Sequence, residues 1–262
     1  MKICVFVDGE NFRHSIVQLF PAFNQYDYLP KYAEWDTLFD WIVRSVDEEG
    51  KRIRTYWYMI KGLDYYPFYI PNTKRLQEKE EERENFKQLL LKEKYRKDEF
   101  EALENQELVE KLIEIGKELW GYRVTMQGRC EGWMKVQDAI ALKYNAIEFR
   151  RSGMVTCNLF KRILGSEKTV DVKLATDMII LSDIYDTAVI VSGDQDYVPA
   201  VEIIKDYGKE VVNVAFLTRS GRLLPGGAKR LNQVTDRHLI ISYDSLGEHL
   251  KIGQTTMDDT TI

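Results

Sequence analysis

Two short runs, ICVFV at 3–7 and TAVIVS at 187–192, constrain the fold more than any other part of the chain. Each is continuous in apolar or small residues and rich in β-branched side chains. A strand of that kind is buried on both faces, the habit of a parallel sheet covered by helices on either side. Both runs end at a carboxylate. Asp8-Gly9 closes the first, and Ser192-Gly193-Asp194-Gln195-Asp196 follows the second.

The remaining pattern supports the same architecture. A helix is expected from about Asn11 to Phe20 and another across 35–49, where Leu38, Trp41, Ile42 and Val46 share a face. RIRTYWYMI (52–60) reads as the next strand, completing a β-α-β start. Towards the C-terminus the spacing predicts a helix over 169–185, the strand 187–192, and a helix over 198–208 closed by Gly208. A strand over 211–216 and a strand-like 238–242 follow. YRVTMQ (122–127) has strand character. The region 128–165 is unassigned except for a strand expected at MVTCNLF (154–160), and 220–233 reads as a basic loop. The expected fold is therefore a doubly wound α/β domain over 1–245, with a mainly parallel sheet and helices on both faces. Residues 246–262 are read as a frayed tail.

One segment breaks the rhythm. Residues 74–119 hold 14 acidic and 11 basic residues, and no Pro or Gly before Gly116. Leu103, Leu108, Leu112, Ile115 and Leu119 mark an apolar stripe, so a charged helical insertion is expected there.

Formal charge is −5, from 42 acidic and 37 basic residues, which argues against a protein that coats DNA with a wholly basic surface. It leaves room for a local basic groove. Cys4, Cys130 and Cys157 are odd in number and far apart, so no disulfide framework is expected. No window approaches the roughly 20 apolar residues that cross a bilayer, and the apolar N-terminal run is too short for a signal peptide. The expectation is a cytoplasmic protein with no membrane partner.

In open α/β sheets, sites form beyond the carboxyl ends of strands where strand order reverses. If the strands at 3–7 and 187–192 are neighbours, Asp8, Asp194 and Asp196 meet at one edge, and Asp171 can add a fourth carboxylate. Each acid alone also fits a structural role. Asp8-Gly9 is a common turn pair, Asp196 precedes a helix with Pro199 in its first turn, and Asp171 suits a helix N-terminus. Asp177 neighbours Leu174, Ile180 and Leu181 in the helix and needs a partner if buried; a supporting role and a core hydrogen-bonding role both fit. Several carboxylates with little else suit a hard divalent cation such as Mg²⁺ or Mn²⁺. Three histidines without HxxxH spacing, and no CxxC, disfavour zinc, and no GxxxxGK[ST] loop is present.

VFVDGENF (5–12), KTVDVKLATDM (168–178) and VSGDQDYVPAV (191–201) together resemble the three signature segments of the NYN domain, a family of the PIN-like nuclease group. The resemblance continues through DYGKEVVNVAF to 216. It implies a metal-dependent endoribonuclease that hydrolyses RNA phosphodiester bonds with Mg²⁺ or Mn²⁺. Asp8 and Asn11 fall on the first acidic motif, Asp171 and Asp177 on the second, and Asp194 and Asp196 on the third. By that resemblance Asp8, Asp171 and Asp194 hold the metal directly or through water, Asp196 orients the attacking water, and Asn11 contacts a phosphate or positions a carboxylate. Ser192 and Lys168 are supporting candidates. Tyr197 stands where the family more often has Phe, a departure that leaves the expected ligands untouched.

Arg219, Arg222, Lys229 and Arg230 are candidate nucleic-acid contacts, with an ordinary basic surface loop as the alternative. DYYPFYIP (64–71) offers rings for base stacking, with packing of the turn as its alternative. RNA is the expected substrate, with single-stranded DNA left open, and the insertion is the expected place for a protein partner or self-association. The enzymatic rival, a haloacid-dehalogenase-like phosphatase, wants a second Asp two residues after the first, where this chain has Glu10. The other rival is a catalytically weak RNA- or protein-binding module acting through the insertion.

Overall fold

The computed structural model describes residues 1–21, 28–30, 33–166 and 169–251. The chain opens with β1 (Lys2–Asp8), α1 (Gly9–Leu19), α2 (Trp35–Val46) and β2 (Lys51–Tyr66). It continues through α3 (Thr73–Glu78), α4 (Glu80–Lys92) and α5 (Asn105–Lys143) to β3 (Ile147–Asn158) and β4 (Ile163–Leu164). The last third contains α6 (Thr169–Ile180), β5 (Thr187–Val191), α7 (Val198–Asp206) and β6 (Glu210–Leu217). It ends with β7 (Leu223–Leu224), α8 (Ala228–Val234), β8 (Arg237–Ser242) and α9 (Tyr243–Leu250). The result is a mostly parallel sheet with helices around it.

Two compact units are distinguishable. The first comprises Met1–Lys61, Trp133–Gly153 and Lys168–Ile262, and the second Gly62–Gly132 and Met154–Glu167. In the first unit the strands run β3-β2-β1-β5-β6. β1 is parallel to both β2 and β5, β5 is parallel to β6, and β6 pairs in parallel with β8 and antiparallel with the short β7. The chain leaves β1 towards β2 and β3, then returns to β1's other side as β5. Strand order therefore reverses between β1 and β5, which places a crevice beyond their carboxyl ends.

The doubly buried strands follow directly from their sequence. Side chains alternate across a sheet, so Ile3, Val5 and Val7 enter a core with Phe12, Ile16, Trp35, Leu38, Phe39 and Ile42. Cys4 and Phe6 enter the opposite core, with Leu174, Met178, Tyr185, Val201 and Ile204. β5 divides in the same way, Val189 and Val191 to the first core and Ala188 and Ile190 to the second.

The second unit is built around the helical insertion. Leu112, Ile115, Leu119, Met126 and Cys130 of α5 are buried, as are Leu76, Phe86, Leu90 and Phe100. The charges there are organised rather than merely solvated: Arg96 forks to Glu99, Glu114 and Glu118, and Lys111 reaches Glu99 and Glu114.

Five expectations need correction. Residues 122–127 are helical, inside α5, because Met126 extends the stripe set by Leu112, Ile115 and Leu119; the helical period overrides the β-branched residues. Helix therefore runs well beyond 119, and β3 begins at Ile147 rather than at 154. Residues 220–233 hold β7 and most of α8 instead of an unbroken loop, and 243–250 form α9 rather than a frayed start to the tail. The rest of that tail, 252–262, lies outside the described residues. Among those described, no helix is long and apolar enough to cross a membrane.

Gly9 opens α1 directly against β2. A Cβ there would stand 1.9 Å from Met59 Sδ and 2.3 Å from the Tyr58 carbonyl oxygen. The thioether can move, but the backbone oxygen cannot do so cheaply. Gly9→Ala is expected to lower stability by roughly 1–3 kcal/mol, read as a fall in the urea midpoint with an unchanged m-value.

Candidate active site

Asp8 is the last residue of β1 and only 1% exposed. Its carboxylate caps α1, accepting from the Asn11 backbone N–H at 3.1 Å through Oδ1. Oδ2 accepts from the Asn11 side-chain amide at 2.5 Å and from the Ser192 hydroxyl at 2.8 Å. The Tyr197 hydroxyl lies 3.3 Å away from the same oxygen. Ser192 is itself fully buried just past β5 and accepts from the Asp194 N–H at 3.0 Å. One hydroxyl thus ties the first acidic segment to the third, an arrangement that follows from the pairing of Val7 with Val191 in neighbouring strands.

Tyr197 makes the second connection. Its hydroxyl donates to Asp171 Oδ1 at 3.0 Å, so a single phenol stands between Asp171, in the first turn of α6, and Asp8. Burial pushes the phenol pKa far up, and the charges of Asp8, Asp171 and Asp194 push it further, so the group remains a protonated donor. The Asp8 carboxyl is itself raised to about 6. Burial is the main cause, hydrogen bonds from Ser192 and Asn11 oppose it, and the Asp171 charge adds to the rise.

Asp194 caps the single turn Gln195–Tyr197, accepting from the Asp196 N–H at 2.9 Å. The cap expected of Asp196 therefore belongs to Asp194, and the Asp196 side chain is exposed. Asp177 is placed apart from the Tyr197 cluster. It is 3% exposed, paired with Arg150 at 2.5 Å and Lys173 at 2.7 Å, and it accepts from Tyr58 at 3.1 Å. Burial acts to raise its pKa, but the hydrogen bonds from Lys173 and Arg150 outweigh it and hold the carboxylate ionised. Of its two sequence readings, this geometry is the core hydrogen-bonding one. Lys168 lies outside the described residues.

The basic candidates separate. Arg230 donates to Gln195 Oε1 at 2.8 Å, beside Asp194 and Asp196. Arg222 lines a pocket of about 200 Å³ with Glu10, Asn11 and His14. Arg219 instead stacks on Tyr243, 4.1 Å from the ring centre, and faces Asp244 of α9 at 3.8 Å. Lys229 is exposed on α8.

The glycines of this segment serve packing. A Cβ on Gly227 would lie 1.9 Å from the Gly193 carbonyl oxygen, and one on Gly193 would lie 2.6 Å from Pro225 Cβ. Only two side-chain-free residues let the SGD turn and the start of α8 touch.

Sequence reasoning missed Tyr197, whose exchange for Phe is not neutral. The signal was available: a tyrosine inside an apolar helix start will be buried, and its hydroxyl must find a partner.

Among the described residues, no three His, Cys, Asp or Glu side chains are grouped to enclose one ion. The donors are instead oxygen atoms in a chain, with Asp8 and Asp171 sharing Tyr197 and with Asp194 joined through Ser192. Such a set fits a hard cation held through one or two carboxylates and otherwise by water or phosphate.

Comparison with known proteins agrees with the motifs. Residues 123–241 match the NYN domain, a PIN-like nuclease family. The match covers the second and third acidic segments and starts after the first, so Asp8 joins the site through geometry. No curated relative matches the chain. A solved protein of unknown function from Vibrio parahaemolyticus RIMD 2210633 is 15% identical over 92% of each chain, with a TM-score of 0.44.

The Tyr197 bridge can be tested in the metal-free protein. Tyr197→Phe is expected to cost roughly 1.5–3 kcal/mol at pH 8, the scale of a hydrogen bond to a charged group. The loss should shrink at pH 5, where Asp8 carries its proton. Chemical denaturation at the two pH values measures both effects.

Proposed function

We propose, from the NYN domain at 123–241 and the acidic cluster at the β1/β5 crevice, that this protein is a metal-dependent endoribonuclease. The observation that carries the reading is the sharing of one buried phenol by Asp8 and Asp171, with Asp194 linked to Asp8 through Ser192. That is a concentration of oxygen ligands at a topological switch point, built from three separate parts of the chain.

Asp8, Asp171 and Asp194 are the proposed ligands. A bound Mg²⁺ or Mn²⁺ would lower the pKa of a water and offset charge on the phosphodiester. Asn11 and Ser192 hold the Asp8 carboxylate in one orientation. Asp196, exposed beside the cluster, is the residue we assign to orienting the attacking water. Arg222 and Arg230 offer guanidinium groups to the phosphates that flank the scissile bond. Lys229, exposed on the same short helix as Arg230, is assigned to phosphates further along the strand.

The test is cleavage of end-labelled RNA and matched DNA with Mg²⁺, with Mn²⁺ and with EDTA. Metal-dependent cutting of RNA is expected, abolished in Asp171→Asn. Ser192→Ala, which removes a group holding a ligand, should weaken metal affinity roughly 10- to 100-fold. Failure of well-folded wild-type protein to cut either polymer would overturn the nuclease reading in favour of a catalytically weak binding module. The absence of a ready-made three-ligand group among the described residues is the observation on that side.

A pH dependence follows from the raised Asp8 carboxyl. Without metal, the fold favours the proton over the charge. The stability that proton supplies is present at low pH and is lost as pH rises through about 6. A cation needs the charge. The rise in Tm produced by Mn²⁺ should therefore be full at about pH 7.5 and vanish as pH falls through about 6. An Asp at its ordinary 3.8 would keep the effect nearly two units lower. A persistent Mn²⁺ effect at pH 5 would remove Asp8 from the ligand set.

A further inference from the structure

The aromatic stretch 64–71 divides into rings that are used and rings that are not. Arg123 covers Tyr65, with its guanidinium 4.6 Å from the ring centre. Tyr66 donates to Glu93 at 2.7 Å and packs edge-on to Phe160. These two are packing residues. Phe68 is 84% exposed and Tyr69 47%, and Trp120 on α5 is 52% exposed.

The three exposed rings line one groove of about 580 Å³ in the second unit, together with Arg75, Lys117 and Arg123. Three large exposed rings lining one groove make it a candidate contact surface. Two of the cations are held in place. Arg123 donates to the Phe68 carbonyl at 3.0 Å and stands 5.5 Å from the Trp120 ring centre. Arg75 donates to the Tyr69 hydroxyl at 2.9 Å and to Glu82 at 2.9 Å. Lys117 is exposed.

The charge of the groove is the more selective observation. Residues 74–119 are predominantly acidic, 14 to 11, yet among the described residues no Asp or Glu lines the groove, while three cations do. Arg75 is paired with Glu82, but exposed π faces beside Lys117 and Arg123 complement a polymer in which every unit has a π face and every linkage a negative charge. A duplex hides its bases in the stack and cannot use the rings.

We propose that this groove is a binding subsite for single-stranded RNA, with unpaired bases stacking on Trp120 and Phe68 and with Lys117 and Arg123 meeting the backbone phosphates. The inference rests on the nucleic-acid reading above and adds a substrate class to it: an unpaired strand, engaged at a surface separate in composition from the acidic cluster.

The experiment uses the full chain in EDTA, so that binding is read without cutting. Fluorescein-labelled oligouridylate and oligoadenylate of about 12 nucleotides, within the range of known single-strand sites, are compared with an RNA hairpin stem by anisotropy over a range of salt. Tighter binding of the single strands is expected, with quenching of tryptophan emission that Trp120→Phe reduces. Trp120→Ala should weaken binding about 5- to 50-fold, the scale of one base–aromatic stack. Lys117→Gln should lower the slope of log K against log salt by about 0.7, one phosphate contact on a single strand. Both side chains are exposed, and an unchanged circular dichroism spectrum checks the fold.

Wild-type affinity and salt slope in both variants would overturn the proposal, as would a hairpin that binds as well as the single strands. A groove that serves a protein partner would give that first result. The two readings fail separately. Trp120-dependent binding without any metal-dependent cutting overturns only the nuclease, and Asp171-dependent cutting with Trp120-independent binding overturns only the groove.

Discussion

The site depends on keeping one negative charge out of water. Asp8 ends a strand that is buried from Ile3 onward, and a carboxylate in that position is tolerable only if donors surround it. The chain supplies them from three places: Asn11 one helical turn on, Ser192 past the neighbouring strand, and Tyr197 at the start of a distant helix. The last two each bring another acidic segment with them, because Ser192 also holds the Asp194 backbone and Tyr197 also holds Asp171. Satisfying one buried charge therefore assembles the others around it. The donors do not fully offset desolvation, so the carboxyl sits near neutrality in its affinity for protons. In the proposed nuclease such a group would exchange its proton for the cation.

The same chemistry is used to the opposite end at Asp177. There the partners are cations as well as a phenol, and the charge is neutralised within the core by Arg150 and Lys173. Two aspartates six positions apart on one helix motif, Asp177 buried and Asp171 partly exposed, would be hard to tell apart by residue type. Their neighbours separate them: Asp171 meets the Tyr197 hydroxyl beside Asp8, whereas Asp177 is neutralised by Arg150 and Lys173.

Much of this was legible in the sequence where the signal is local and strong. The strands at 3–7 and 187–192 were readable because burial on both faces leaves no polar alternation, and their terminal acids pointed to the crevice. The helix at 122–127 was not, since six residues with β-branched and aromatic members outweigh a stripe that becomes visible only over the full length of α5. The division of the basic residues was also hidden. Arg219 is drawn away by Tyr243 and Asp244 of α9, a helix that lies where a polar tail was expected. Tyr197 shows a different failure. Judged by similarity to Phe it is conservative; judged by the fate of a buried hydroxyl it is the joint of the site.

The contact between Gly193 and Gly227 has a consequence for how this surface can change over time. Because the two backbones touch, the acidic turn and the arginine-bearing helix form one mechanical piece. Ala228 and Leu231 of that helix are fixed in the core, but Lys229 and Arg230 are exposed, so the charge it presents is open to drift. The path of the main chain is not: a Cβ at Gly227 would meet the Gly193 carbonyl oxygen and one at Gly193 would meet Pro225, so either would force the turn and the helix apart. Change tolerated here thus falls on the exposed side chains of α8, while the spacing between that helix and Asp194 stays fixed by the backbone contact.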